Sequence, residues 1–244
     1  MPIFRLTRDL AFPPPELAEE GLLAVGGDLS PERLLLAYRC GIFPWYSDGE
    51  PILWWSPNPR MVIFSEQLHV SRRLARVLRQ GKFRFTADAA FAEVIRGCAK
   101  ATRPRERGTW ITRDMIAAYT QLHEQGYAHS VEAWHEGRLA GGIYGVSLGA
   151  CFFGESMFTR VTDASKAAIT TLARQCARWG ISVIDCQLPN PHLRRLGGVA
   201  MPRAQFLRRL EEALEGSTRQ GRWRLDDDLA VSAFTPPSGG SQFE

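Results

Sequence analysis

The stretch Ala150-Cys-Phe-Phe-Gly-Glu-Ser-Met-Phe-Thr-Arg160 constrains this chain more than any other, because it drives a bulky apolar run straight into a carboxylate. Phe152 and Phe153 read as buried strand positions, Gly154 permits close backbone approach, and Glu155 falls at the expected strand end. A second stretch, Ile181-Ser-Val-Ile-Asp-Cys-Gln187, is a β-branched run whose period of two puts Asp185 and Gln187 on one face. An acid and an amide leaving an apolar strand together suggest a site. Taken alone, the same residues could simply satisfy turn backbone groups, so the surrounding pattern has to decide.

With 244 residues, 45% of them apolar, the chain can build one large domain or a main domain with a smaller companion. A formal charge of +4 permits an anionic partner without demanding one. The five cysteines, Cys40, Cys98, Cys151, Cys176 and Cys186, stand far apart without metal-ligand spacing, as expected of reduced thiols in a cytoplasmic protein. The N-terminal segment is interrupted by charges, and no uncharged run has the length of a membrane span. A soluble protein with no membrane partner is expected.

Residues 1–62 are rich in proline, glycine and tryptophan and predict a small N-terminal domain. Ser30-Pro31 supplies an N-cap and an N1 proline for a helix from Pro31 to Cys40, closed by Gly41. The aromatic residues of Gly41–Tyr46 and Leu53–Arg60 can plug this domain onto a larger one, or offer rigid faces for a ring to stack on. Residues 63–234 predict the main domain, and the polar tail 235–244 is expected to be disordered. No acidic residue occurs between Gln67 and Ala87, where Arg72, Arg73, Arg76, Arg79, Lys82 and Arg84 accumulate. The pattern predicts a helix over Ser71–Gln80 with a one-signed outer face, as a surface for phosphates requires.

Further on, the pattern predicts a helix from Asp88 to Ala99, a basic loop over Lys100–Gly108, and a helix from Arg113 capped by Thr112. Strands follow at His129–His135, Arg138–Leu148 and Ala150–Phe153, then a long helix capped by Asp163 that ends near Trp179. The order implies an α/β (α+β) architecture, a mixed sheet covered by helices. The histidines are scattered, which argues against a metal site, and Ser156 lacks the flanking glycines of a nucleophile elbow. Arg195-Leu-Gly-Gly-Val-Ala200 fits the Arg-x-x-Gly-x-Ala pattern of acetyl-CoA-dependent acyltransferases, although it opens no long helix.

The segments Gly21–Pro31, Arg39–Trp45, Pro51–Arg60, Gly108–Thr112, Phe153–Phe158, Ala164–Lys166 and Ile184–Gln187 together resemble the leucyl/phenylalanyl-tRNA–protein transferase family, over about residues 3–234. The resemblance implies a GNAT-like acyltransferase domain behind the small N-terminal domain, acting without cofactor; a monomer is expected. It implies transfer of leucine or phenylalanine, less readily methionine, from charged tRNA to an N-terminal arginine or lysine, which marks the acceptor for N-degron degradation. For the donor side chain it implies an apolar pocket of Ile143, Phe152, Ile169, Leu172, Cys176 and Ile184. Leu172 and Cys176 depart from the aromatic residues of the family pattern and would make that pocket roomier. Trp45 and Trp110 would hold the 3′ adenosine, and the basic residues 72–84 the acceptor-stem phosphates. Glu155 would bind the donor's α-amino group, and Gln187, backed by Asp185, would activate the attacking amine. A neutral amide is a very weak base, so chemistry gives Gln187 a positioning role and Asp185 charge stabilisation.

Overall fold

Ser30 starts the first helix as expected: its side chain accepts from Arg33 N, and Pro31 follows at N1. The computed structural model describes residues 3–101 and 110–230. The first part holds β1 (Phe4–Leu6), β2 (Leu22–Gly26), α1 (Pro31–Arg39), β3 (Phe43–Pro44) and β4 (Leu53–Trp55), whose strands form a sheet in the order β1-β2-β4-β3. The next elements are β5 (Arg60–Phe64), α2 (Arg72–Arg79), β6 (Arg84–Ala87), α3 (Phe91–Lys100) and α4 (Arg113–Glu124). The meander β7 (Ala128–His135), β8 (Arg138–Leu148) and β9 (Cys151–Thr159) leads into α5 (Ala164–Arg178) and β10 (Val183–Asp185). The chain ends its described part with α6 (Pro191–Arg195), β11 (Val199–Met201), α7 (Arg203–Leu214) and α8 (Asp227–Ala230).

The second sheet runs β11-β5-β10-β9-β8-β7-β6, antiparallel except for the parallel pair β9–β10. Alternation along the strands feeds two cores. Phe153 and Tyr144 pack with α1, α3, α4 and α7, whereas Phe152, Ile143 and Ile184 pack with α2, α5 and α6. Residues of the small sheet, among them Leu23 and Trp54, share the first of these cores, and the expected boundary at 62/63 falls inside β5.

Several local expectations are corrected. The helix expected over Ser71–Gln80 forms between those two caps and ends where Gly81 turns with φ +65°, but two of the basic residues fall outside it: Lys82 lies in the connection and Arg84 starts β6. The third helix starts at Phe91, since Asp88 adopts φ +52° and gives its carboxylate to Ser130 N, His129 and Trp223 N. Asp163 stands at φ +73° and does not cap α5; its carboxylate pairs with Lys166 and Arg73. The polar tail and most of the Lys100–Gly108 loop lie outside the described residues.

Candidate active site

The parallel pair β9–β10 is short, Cys151–Phe153 against Val183–Asp185, and a cavity opens where the two strands part. Where two neighbouring parallel strands part, a crevice opens that can hold a ligand. The cavity has a volume of about 360 Å³ and takes Glu155 from β9 and Gln187 from the segment after β10.

Glu155 is not at a strand end. β9 continues to Thr159, and its pairing with β8 jumps from Gly145↔Gly154 to Tyr144↔Ser156, leaving Glu155 as a bulged residue. An unpaired residue in a bulge re-aims its side chain, here into the cavity. The close approach assigned to Gly154 belongs to its partner: a Cβ on Gly145 would stand 2.1 Å from Phe153 O, whereas one on Gly154 would make only ordinary contacts.

The Glu155 carboxylate is held from two sides. Tyr119 Oη donates to Oε2 at 3.1 Å, and Gln187 Nε2 donates to Oε1 at 3.1 Å. Tyr119 in turn pairs with Tyr38 through a short hydroxyl contact. Burial raises the Glu155 pKa from 4.5 to about 7, against the hydrogen bonds from Tyr38 and Tyr119, with the Asp185 charge adding to the rise. Tyr38 and Tyr119 were invisible as site residues in the sequence; the one signal was a tyrosine on the apolar side of a helix, whose hydroxyl must find a partner when buried.

Asp185 does not face the cavity. Its Oδ1 accepts from Arg60 Nε at 2.9 Å and its Oδ2 from Arg60 Nη2 at 2.6 Å, with both side chains fully buried. Arg60 Nη1 also donates to Gly41 O at 2.9 Å, and the guanidinium lies over the Phe43 and Phe206 rings, 5.0 and 4.5 Å from their centres. Oδ1 further accepts from Gln187 N at 3.0 Å, which helps hold Gln187 at φ +55°. The period-two expectation therefore fails: β10 ends at Asp185, and Gln187 reaches the cavity through a left-handed turn. Asp185 therefore meets the site only through the backbone N–H of Gln187.

Of the expected apolar pocket, Ile143, Ile169 and Ile184 line the cavity. Phe152, Leu172 and Cys176 are buried in the core behind it, so the departures at 172 and 176 shape the backing and not the wall. Trp45 and Trp110 both line the cavity. Side chains near them in sequence meet: the Tyr46 hydroxyl lies 3.3 Å from Thr112 Oγ1, the cap of α4.

The basic residues divide. Arg72, Arg76 and Arg79 line a groove of about 960 Å³ between α2 and α5, which Arg174 and Arg178 complete. Arg73 faces a smaller cavity with Lys166 and Arg195. Lys82 and Arg84 line none of these; Lys82 Nζ sits over the Phe83 ring. No cluster of His, Cys, Asp and Glu is placed to hold a metal ion among the described residues. No helix among them is long and apolar enough to cross a membrane.

Likeness to known proteins places the chain among the aminoacyltransferases. The profile described as leucyl/phenylalanyl-tRNA protein transferase matches residues 62–211, and that of the N-terminal domain of the same protein matches residues 27–58. A leucyl/phenylalanyl-tRNA–protein transferase of Anaeromyxobacter sp. (strain Fw109-5) is 58% identical over 227 residues, 93% of this chain and 97% of that one. Its counterpart in Syntrophobacter fumaroxidans is 56% identical over 224 residues, 91% of this chain and 96% of the relative. The chain belongs to the leucyl/phenylalanyl-tRNA–protein transferase family. Among solved structures, L-PGS from Bacillus licheniformis aligns at TM-score 0.36 and 11% identity over 69% of this chain and 54% of that one, too loosely to assign a fold.

Proposed function

We propose that this protein transfers leucine or phenylalanine, and less readily methionine, from aminoacyl-tRNA to the N-terminal arginine or lysine of acceptor proteins. The acceptor's neutral α-amine attacks the ester carbonyl, the new C–N bond forms, and the tRNA 3′ oxygen leaves with a proton. The ester is already activated, so positioning supplies much of the acceleration. The observation that carries this reading is the Glu155–Gln187 hydrogen bond at 3.1 Å in a cavity lined by Ile143, Ile169 and Ile184, with Trp45 and Trp110 on its wall.

In this reading the isoleucines receive the donor side chain and the tryptophans flank the terminal adenosine. Glu155 binds the donor's α-ammonium. Its bond to Gln187 Nε2 leaves the amide oxygen of Gln187 as the acceptor that orients the incoming amine. Arg72, Arg76 and Arg79 follow the acceptor-stem phosphates, a contact that positions without reading sequence. The parting of parallel strands at the site supports a GNAT-like acyltransferase body. We place its boundary with the small N-terminal sheet between Trp55 and Arg60. The protein would act in the cytoplasm as a monomer, and its products would enter N-degron degradation.

The deciding assay incubates leucyl-tRNA, labelled in leucine, with a peptide bearing N-terminal arginine. Label should enter that peptide and not its Nα-acetylated form. Label that stays on tRNA, or acetylation of the peptide from acetyl-CoA instead, would sink the proposal.

A further inference from the structure

Next to the aminoacyl cavity lies a second, smaller one of about 200 Å³, formed by the start of α2, the start of α5 and α6. Its wall carries three permanent cations, Arg73, Lys166 and Arg195, with His69 and His192 among them. The one carboxylate facing them is Asp163, which takes Lys166 Nζ at 2.9 Å and Arg73 Nη2 at 3.5 Å. Three cations against one carboxylate leave two positive charges in excess. Arg195 is exposed and makes no ion pair with a described residue, and the Lys166 ammonium keeps donors beyond the one given to Asp163. The local field registers on the neighbours: Asp163 titrates below the usual carboxylate range, chiefly through Lys166, and His192 below the usual imidazole range, through burial and then Lys166 and Arg195.

Its place in the fold limits what it can hold. On α5, Lys166 faces this cavity, Ile169 the aminoacyl cavity, and Thr170 and Arg174 the basic groove. On α6, Leu193 lines the aminoacyl cavity while His192 and Arg195 line this one; His69 belongs both to this cavity and to the groove. The cationic cavity thus shares α5 and α6 with the aminoacyl cavity and His69 with the groove. A donor whose 3′ end enters the first and whose duplex lies in the second has an unpaired stretch in reach of it, carrying one negative charge per linkage.

We propose that Arg73, Lys166 and Arg195 form a phosphodiester site for the unpaired 3′ end of the donor RNA, at the linkage next to the terminal adenosine. The site rests on the transfer reading above. It gives a role to Arg195, the first residue of the Arg-x-x-Gly-x-Ala segment, for which the transfer chemistry has no use. A guanidinium can take a phosphate oxygen pair in bidentate fashion, and a well-placed charge-assisted contact of this kind changes binding by about tenfold.

The test uses two minimal donors, leucyl-adenosine, which has no phosphate, and the leucyl ester of cytidylyl-(3′→5′)-adenosine, which has one linkage, with the arginine peptide as acceptor. With the wild-type protein the dinucleotide donor should show a KM about tenfold lower than leucyl-adenosine. Arg195→Ala, and separately Lys166→Gln, should erase that advantage and leave kcat and KM for leucyl-adenosine in place. Inorganic phosphate should compete with the dinucleotide donor alone. Equal KM changes on both donors, or no change on either, would overturn the site while the transfer reading stands. Failure of both donors with the wild-type protein would overturn the transfer reading and the site with it.

Discussion

The Arg60–Asp185 pair lies outside the cavity but is bonded to the backbone of a residue that lines it. Both ions are fully buried, bonded in bidentate geometry, and joined to the backbone of Gly41 and Gln187. Removing one partner of such a pair strands the other, at a cost of about 3–5 kcal/mol, whereas replacing both by apolar groups is often close to neutral. Asp185→Asn should therefore lower unfolding free energy by about that amount in denaturant titration, and also slow transfer. The double variant Arg60→Met/Asp185→Leu should regain much of the stability but not the rate. Recovery of both would reduce Asp185 to a packing role. Glu155 makes a second test. Its carboxyl, raised to about 7, is neutral below that pH and ionised above it, and only the ionised form attracts an ammonium. Affinity for a non-reactive, amide-linked leucyl-adenosine should then weaken about fivefold to tenfold from about pH 7.5 to about pH 6. Glu155→Gln should bind weakly at all pH values; an unchanged pH profile in that variant would remove Glu155 from donor binding.

At the level of strands and helices, what the sequence announced was what local chemistry decides. Ser30-Pro31 opens α1, Thr112 caps α4, and the turn at Glu136-Gly137 delimits β8 at Arg138. The misses have a common cause, which is dependence on distant residues. Gly154-Glu155 reads as a strand end because the bulge is defined only by the pairing with Gly145, nine positions earlier on β8. The partner of Asp185 is 125 residues away, and nothing in the period-two pattern signals it. Asp88, placed inside a helix by pattern, instead binds His129 and the backbone of Trp223, whose ring stacks on His129. The six residues that the family resemblance put in one apolar pocket do share one core, with Ile143, Ile169 and Ile184 on the cavity wall and Phe152, Leu172 and Cys176 behind it. The β6–β7 pair carries a prediction of its own. Glu132 is fully buried, accepts from Ser130, Thr86 and Ala89 N, and has its pKa raised by burial from 4.5 to about 7. Because the folded-state value lies above the ordinary one, the stabilisation is complete below the ordinary value and is lost as pH rises through about 7. The Glu132 share of the unfolding free energy should fall by on the order of 2–3 kcal/mol across that window, beside a similar share from Glu155, so Glu132→Gln should remove about half of the slope. A variant with the wild-type slope would show that Glu132 is not its source.

Across the whole molecule, α5 joins three surfaces: the aminoacyl cavity, the cationic cavity beside it, and the arginine-lined groove shared with α2. The largest of the three is the groove, and it lies apart from the carboxylate–amide pair. On the proposed reading, the groove takes the large polyanion and the smaller cavity its reacting end. A formal charge of only +4 hides this, because acidic residues elsewhere offset a run of one sign. The separation predicts that binding and chemistry can be uncoupled. Neutralising Arg72, Arg76 and Arg79 together to glutamine removes three cations from the groove while leaving Glu155, Gln187 and the tryptophans untouched. Each phosphate contact contributes about 0.7–0.9 to the slope of log affinity against log salt, so the triple variant should flatten the slope for tRNA by about two. Turnover of leucyl-adenosine, which cannot reach the groove, should stay at the wild-type rate. If the salt slope is unaltered, or if the adenosine donor slows in parallel with tRNA, the groove is not where the nucleic acid lies.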